Sequence, residues 1–114
     1  MDSGTMLLMI KALDGLAARA IVTADNIANA GTANYRPLKL TFEEALKSAA
    51  AKGDDAVQMV KPHVERAIAG TMDGELRLDL QLATASTTAL RYSALIEVLN
   101  RQTQINALAI TGNR

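Results

Sequence analysis

The fold of this 114-residue chain is indicated most clearly by the segment Ser3–Ala30, SGTMLLMIKALDGLAARAIVTADNIANA. It contains no proline, and apolar or small residues recur along it at alternating intervals of four and three positions. These residues are Met6, Ile10, Leu13, Ala17, Ala20, Ala24 and Ile27. The intervals are those of a heptad seam and predict one long helix in the N-terminal segment, residues 1–30, where the 28 residues from Ser3 to Ala30 would span about 42 Å. Ser3 suits its N-cap, and Gly31 suits the position that ends it.

A second segment of the same kind occupies the other end of the chain. Residues 79–111 contain neither glycine nor proline, and apolar side chains recur at intervals of three and four. They are Leu82, Ala85, Ala89, Tyr92, Ile96 and Leu99. This pattern predicts a C-terminal helix over residues 79–114 that begins at Asp79 as its N-cap. The predicted fold is therefore mainly α: two long terminal helices, 1–30 and 79–114, packed as an antiparallel coiled-coil-like hairpin.

The middle segment, residues 31–78, has a different composition, with both prolines and four of the seven glycines. We expect it to be irregular. Alternating polar and apolar residues predict an extended piece over residues 37–42, and a short helix is predicted over residues 42–52, with Thr41 as its N-cap. Short strands are possible within residues 57–80, from Val57 to Val60 and from Val64 to Ile68, and a turn is expected over residues 70–74.

Composition excludes several classes of function. The formal net charge is zero and aromatic residues make up 3% of the chain, which leaves little to attract or stack on nucleic acid. The chain has no cysteine and a single histidine, His63, which excludes thiolate chemistry and a multi-histidine zinc site. The paired carboxylates at residues 43–44 and 54–55 are interpreted as solvated charge. We therefore predict no enzymatic activity, no cofactor and no metal, and the longest apolar run is too short to span a membrane.

The faces opposite the apolar stripes carry unusually little charge. Residues 80–111 contain only Arg91, Glu97 and Arg101, among many short neutral polar side chains. An ordinary surface helix is charged on that side, whereas depletion of charge is typical of an interface core. One hypothesis is that the helices pack against other subunits. The alternative is an ordinary bundle in which the middle segment covers the remaining faces.

The end of the first segment carries a more specific signal. DNIANAGTANYR at residues 25–36 resembles the signature of bacterial flagellar rod and hook proteins, roughly S-N-I-A-N-A-x-T-P-G-Y-K. TFEEAL at residues 41–46 is similar to the D-F-x-x-x-L that follows it in the proximal rod branch of that family, and the short chain also fits that branch. LRLD at 76–79, LRY at 90–92 and LNR at 99–101 resemble C-terminal motifs of the same proteins. Asn34 stands where the family has glycine, and asparagine also tolerates a left-handed turn.

The resemblance implies a structural protein of the flagellar basal body. Its terminal helices would pack into a tubular rod that transmits torque and encloses the export channel, in the periplasmic space, after export by the flagellar type III apparatus. The partners implied are copies of the chain, other rod proteins, and adaptor and export-gate proteins at the rod base. The residues expected at subunit contacts are Asn26, Ile27, Ala28, Asn29, Tyr35, Leu90, Arg91, Tyr92 and Leu99.

Local interpretations of the same motif remain open. Asn26 and Asn29 either satisfy groups at the helix end or reach a neighbouring subunit, and Tyr35 is favoured as a packing anchor whose hydroxyl finds a polar partner. For the whole chain, the alternatives are a soluble helical adaptor or secretion chaperone acting as a discrete dimer, and a small helical-bundle enzyme or metal protein.

Overall fold

A computed structural model describes residues 1–68 and 77–112 of the chain. The described elements are, in chain order, helix α1 (Ser3–Ala28), strand β1 (Leu38–Thr41), helix α2 (Glu43–Ala50), helix α3 (Asp54–Gln58), strand β2 (His63–Arg66) and helix α4 (Leu78–Gly112). The predicted fold class is confirmed: long N- and C-terminal helices pack together and a small middle with two short strands lies between them in sequence. No described helix is both long and apolar enough to cross a membrane.

The two long helices run antiparallel along a molecule that measures 64 × 28 × 14 Å. Their direction is fixed by a hydrogen bond from Asn26, near the end of α1, to Gln81, near the start of α4, with 3.0 Å between Nδ2 and Oε1. The residues of α4 that are buried or half-buried follow a heptad-like pattern: Gln81, Ala85, Thr88, Leu95, Ile96, Leu99 and Gln102. A seam therefore joins the helices, but it contains two glutamines and a threonine that apolar periodicity does not reveal.

The predicted seam of α1 is wrong, because most of its residues face solvent. Ile10, Ala17, Ala20 and Ala24 are exposed, whereas Leu16, Thr23 and Asn26 are buried. Helix α1 has two neighbours, α4 and the middle segment. Its buried side is the side that packs against both of them. Alanines contribute little apolar area, so their regular spacing does not determine which side of a helix is buried.

The middle segment folds onto α1 as a small second layer. β1 and β2 pair antiparallel, with Leu38 opposite Arg66 and Thr41 opposite His63. The buried core is formed by Leu16 of α1 together with Leu40, Phe42, Leu46, Ala49 and Val57. Strand β1 lies within the predicted extended piece 37–42, and α2 lies within the predicted helix 42–52. The strand proposed from Val57 to Val60 is wrong, because Val57 belongs to α3 and is only 2% exposed.

Helix α1 ends earlier than the position of Gly31 predicts. The helix ends at Ala28 with Asn29 as its C-cap, so Gly31 is not the capping residue. The left-handed conformation falls instead on Asn34, with φ of 60°, which confirms the expectation that this asparagine adopts a left-handed turn.

The predicted N-caps are all misplaced, the first two by one residue. Asp2, not Ser3, caps α1: its carboxylate accepts the Thr5 amide at 2.7 Å, and this bond lowers the pKa of Asp2. Phe42 rather than Thr41 precedes α2, without a side-chain cap. Asp79 lies inside the first turn of α4 rather than before it. The turn predicted over residues 70–74, and Leu76, lie outside the described residues.

Candidate functional site

Asn26 is the centre of a buried clasp that joins three parts of the chain. It is 1% exposed, and its amide uses all of its hydrogen-bonding positions. Nδ2 donates to the Leu38 carbonyl at 2.8 Å and to Gln81 Oε1 at 3.0 Å. Oδ1 accepts from the Tyr35 hydroxyl at 2.8 Å and from the Leu38 amide at 2.9 Å. One side chain of α1 thus holds the loop, β1 and α4 together.

This geometry favours the local interpretation of Asn26, since its amide has no position left for a neighbouring subunit. Asn29 has a similar local role: Nδ2 donates to the Asp25 carbonyl at 2.8 Å, and Oδ1 accepts from Thr32 at 3.1 Å. Both asparagines therefore shape the end of α1.

The packing interpretation of Tyr35 is confirmed. Its hydroxyl donates to Asn26, and the Arg66 guanidinium lies 5.5 Å from the centre of its ring. Arg66 also donates to the Arg36 carbonyl at 2.8 Å. The loop that follows α1 is consequently held from both sides, by α1 through Asn26 and by β2 through Arg66.

A second cluster, which the sequence interpretation missed, is built on Arg19. Its guanidinium binds both carboxylate oxygens of Glu43, at 2.8 and 2.6 Å, and donates to the Leu40 carbonyl at 3.0 Å. It also lies 4.9 Å from the centre of the Phe42 ring. Arg91 of α4 approaches the same carboxylate at 3.9 Å. The interpretation of the 43–44 carboxylate pair as solvated charge is therefore wrong for Glu43, which links α2 to both long helices.

The Arg19–Glu43 pair makes stability depend on acid pH. The hydrogen bonds from Arg19 lower the pKa of Glu43 from 4.5 to about 2. Because this folded-state pKa lies below the unfolded one, the pair stabilises the fold fully above pH 4.5 and loses that contribution as the pH falls toward 2.

We predict that Glu43→Gln removes part of the acid sensitivity of the fold. Between pH 7 and pH 3 the native chain should lose about 1 kcal/mol more stability than the variant, a value kept small because Glu43 is half exposed. Urea unfolding at the two pH values measures the difference. Glu44→Gln, which changes the exposed neighbour, is the matched control and should behave as the native chain does. An equal loss of stability between the two pH values in the native chain and in Glu43→Gln would contradict the role of the Arg19–Glu43 pair.

A groove lies between the strand pair and the first half of α4, with a volume of about 1020 Å³. Several cations line it, but Arg19, Arg66 and Arg77 are already engaged by groups of the chain itself. Within the described residues, no three histidine or carboxylate side chains converge as a metal site.

The dominant surface feature is α4, which is largely uncovered. Thr88 is its one buried residue, although nine of its large apolar side chains are exposed. They are Leu78, Leu80, Leu82, Leu90, Tyr92, Val98, Ile105, Leu108 and Ile110. Only four of its 35 residues are charged. Exposed apolar area of this extent, with so little charge, is typical of surfaces that contact other proteins.

The end of α4 also extends past α1. Ser3 lies 23 residues before Asn26, and the residue 23 after Gln81 is Gln104, so counting from the Asn26–Gln81 contact places the start of α1 beside Gln104. Beyond it, residues 105–112 have no helix alongside within the described chain, and all are exposed. Isolated helix segments as short as this overhang are marginal in water.

The structure separates the residues expected at subunit contacts into two groups. Asn26, Asn29 and Tyr35 build the clasp and loop, and Ile27 is half-buried beside them. Ala28, Leu90, Arg91 and Tyr92 are exposed, while Leu99 is half-buried in the seam with α1.

Comparisons with known proteins identify no relative: no family model matches the chain, and no curated protein matches it.

Proposed function

We propose that this protein is a structural subunit of the proximal rod of the bacterial flagellum, of the FlgB type, which packs through its terminal helices into a tubular shaft. The observation that carries the proposal is the uncovered surface of α4, with nine large apolar side chains exposed on a charge-poor helix. The motif at residues 25–36 supports the choice of this family.

The elongated shape suits such a subunit. A shaft transmits torque across many contacts, and each contact resists shear by close side-chain packing along its length. The α1–α4 hairpin supplies faces that run along most of the 64 Å long axis. The Asn26 clasp and the Arg19–Glu43 cluster fasten the middle segment to that hairpin, so that load on one part is carried by the others.

In this proposal the protein acts in the rod, in the periplasmic space, after export through the flagellar type III apparatus. Its partners are copies of itself, other rod proteins and the adaptor and export-gate proteins at the rod base. Catalysis and cofactor binding have no place in the mechanism, which is mechanical.

The test changes one exposed apolar residue of α4 and compares it with one elsewhere. Leu90 is 75% exposed and Met59 is 79% exposed, so aspartate at either position should leave the fold intact. We expect a strain whose native gene is replaced by one encoding Leu90→Asp to be unable to swim. The aspartate would place an uncompensated charge in a packed contact between subunits. Met59→Asp, outside the terminal helices, is the control and should swim. Circular dichroism checks that both variants are folded.

Swimming by the Leu90→Asp strain would contradict the proposed role of α4, and unchanged swimming after deletion of the gene would contradict the flagellar function altogether. Sedimentation of the native protein over a range of concentrations tests the alternative. A discrete dimer that reaches a plateau would favour a soluble adaptor or secretion chaperone, whereas a rod subunit remains a monomer or grows into open polymers.

A further inference from the structure

The overhang of α4 and the outward side of α1 fit each other as the two halves of one contact. The overhang and the two helical turns before it present large apolar side chains, Val98, Ile105 and Leu108, and the last is 72% exposed. The exposed side of α1 presents Ala17, Ile21, Ala24 and Ala28, at intervals of four, three and four. Large side chains on one helix and mostly small ones on the other permit close, interdigitated packing.

The charges at this contact are complementary. Lys11 and Arg19, the cations of α1, are turned inward and bind the Val60 carbonyl and Glu43, so its exposed charged residues are carboxylates, Asp14 and Asp25. Neither forms a salt bridge within the described part of the chain. The exposed α4 face before the overhang carries Arg101, whose pairing is a solvent-exposed i,i+4 bridge to Glu97 and is therefore weak.

The ends of the molecule are placed so that a second copy brings these surfaces together. The overhang projects beyond the start of α1, whereas the α1 stripe continues to the opposite end of the same helix. A copy displaced along the long axis therefore sets the overhang of one chain beside the second half of α1 in the next. The two helices are then antiparallel, as α4 is to its own α1.

We propose that the C-terminal part of α4 docks on the exposed side of α1 in a second copy of this chain, with Arg101 opposite Asp25, Ile105 opposite Ile21 and Leu108 opposite Ala17. This inference rests on the proposed axial assembly and names the contact between its copies. The paired stretches match in length, since residues 98–108 span about 15 Å and residues 17–28 about 17 Å.

The contact is head-to-tail, so in a pair each copy still has one of its two contact surfaces unoccupied. Further copies can therefore add to either end of the assembly. It buries on the order of several hundred Å² of surface, less than the roughly 1,200 Å² of a stable interface between two proteins. A single contact is therefore weak, and the chain associates firmly only when lateral neighbours add to it.

Disulfide cross-linking tests the contact directly, because the native chain has no cysteine. Leu108→Cys mixed with Ala17→Cys should give a cross-linked pair under oxidation with about tenfold higher yield than Leu108→Cys mixed with Lys47→Cys. Lys47 is exposed on α2, away from the proposed surface, and serves as the matched control.

A charge swap adds specificity. Arg101→Glu in the Leu108→Cys chain should reduce the yield to the control level, and Asp25→Arg in the Ala17→Cys chain should restore it. Self-cross-linking of Leu108→Cys at the same yield, or a swap that fails to restore cross-linking, would overturn the proposed contact. A protein that still polymerises and supports swimming in that case would leave the proposed function standing. A chain that never associates and is dispensable for swimming would refute both.

Discussion

Replacing Asn26 with alanine is expected to lower the free energy of unfolding by about 3 kcal/mol, because four hydrogen bonds of a buried amide are lost together. The partners left behind include the backbone groups of Leu38, which solvent does not readily reach. For a domain of this size, the loss corresponds to a fall in melting temperature of more than about 10 °C.

Two graded controls separate the clasp from ordinary loss of a polar side chain. Tyr35→Phe removes one of the four bonds and should cost about 1 kcal/mol. Asn29→Ala removes a partly exposed helix-end cap and should cost no more than that. Thermal and urea unfolding of the three variants give the ranking. A cost for Asn26→Ala no larger than that for Asn29→Ala would show that the clasp does not hold the middle segment to the hairpin.

The second large effect is expected at Gly15. An added Cβ at this position would lie 2.6 Å from two carbons of the Phe42 ring, closer than non-bonded carbons approach. Alanine is a better helix former than glycine by about 1 kcal/mol, so helix propensity alone predicts stabilisation. The steric conflict outweighs that gain, and we expect Gly15→Ala to destabilise the protein by about 2 kcal/mol.

Gly4 provides the matched control on the same helix. A Cβ there would meet Asp54 Oδ1 at 3.1 Å, the end of an exposed side chain that can move. Gly4→Ala should therefore be neutral or stabilising by about 0.5 kcal/mol. Phe42→Leu in the Gly15→Ala background should recover part of the loss, since leucine leaves room for the methyl group. Stabilisation by Gly15→Ala, measured by urea unfolding, would contradict the close packing of ring and helix.

The role of Gly15 illustrates why parts of the site escaped prediction. Nothing in the neighbouring sequence distinguishes a helical glycine that close packing requires from one that the helix merely tolerates. Its meaning depends on Phe42, which is distant in sequence and reaches α1 only after the chain has turned at residues 29–37. Arg19 and Glu43 are a similar case, because each resembles surface charge until the fold brings them within 2.6 Å.

The turn that follows α1 at residues 29–36 was expected from sequence, but the part each residue plays in it was only partly predictable. The hydroxyl partner of Tyr35 was expected, and so was the left-handed turn at Asn34. That Asn26 would bind β1 and α4 simultaneously was not, because Gln81 carries no sequence signal that marks it as its partner.

The elements with the strongest periodic patterns were predictable from the amino-acid sequence. Two long helices, a short extended piece after Pro37 and the scarcity of charge on the C-terminal helix all follow from local spacing and composition, which act over a few residues. The buried side of α1 and the distance by which α4 runs past it are settled by tertiary packing. Those outcomes depend on competition between neighbours for the same helix: the large side chains of the middle segment and the Asn26–Gln81 contact set the rotation and register of the hairpin, and evenly spaced alanines bury too little apolar area to oppose them.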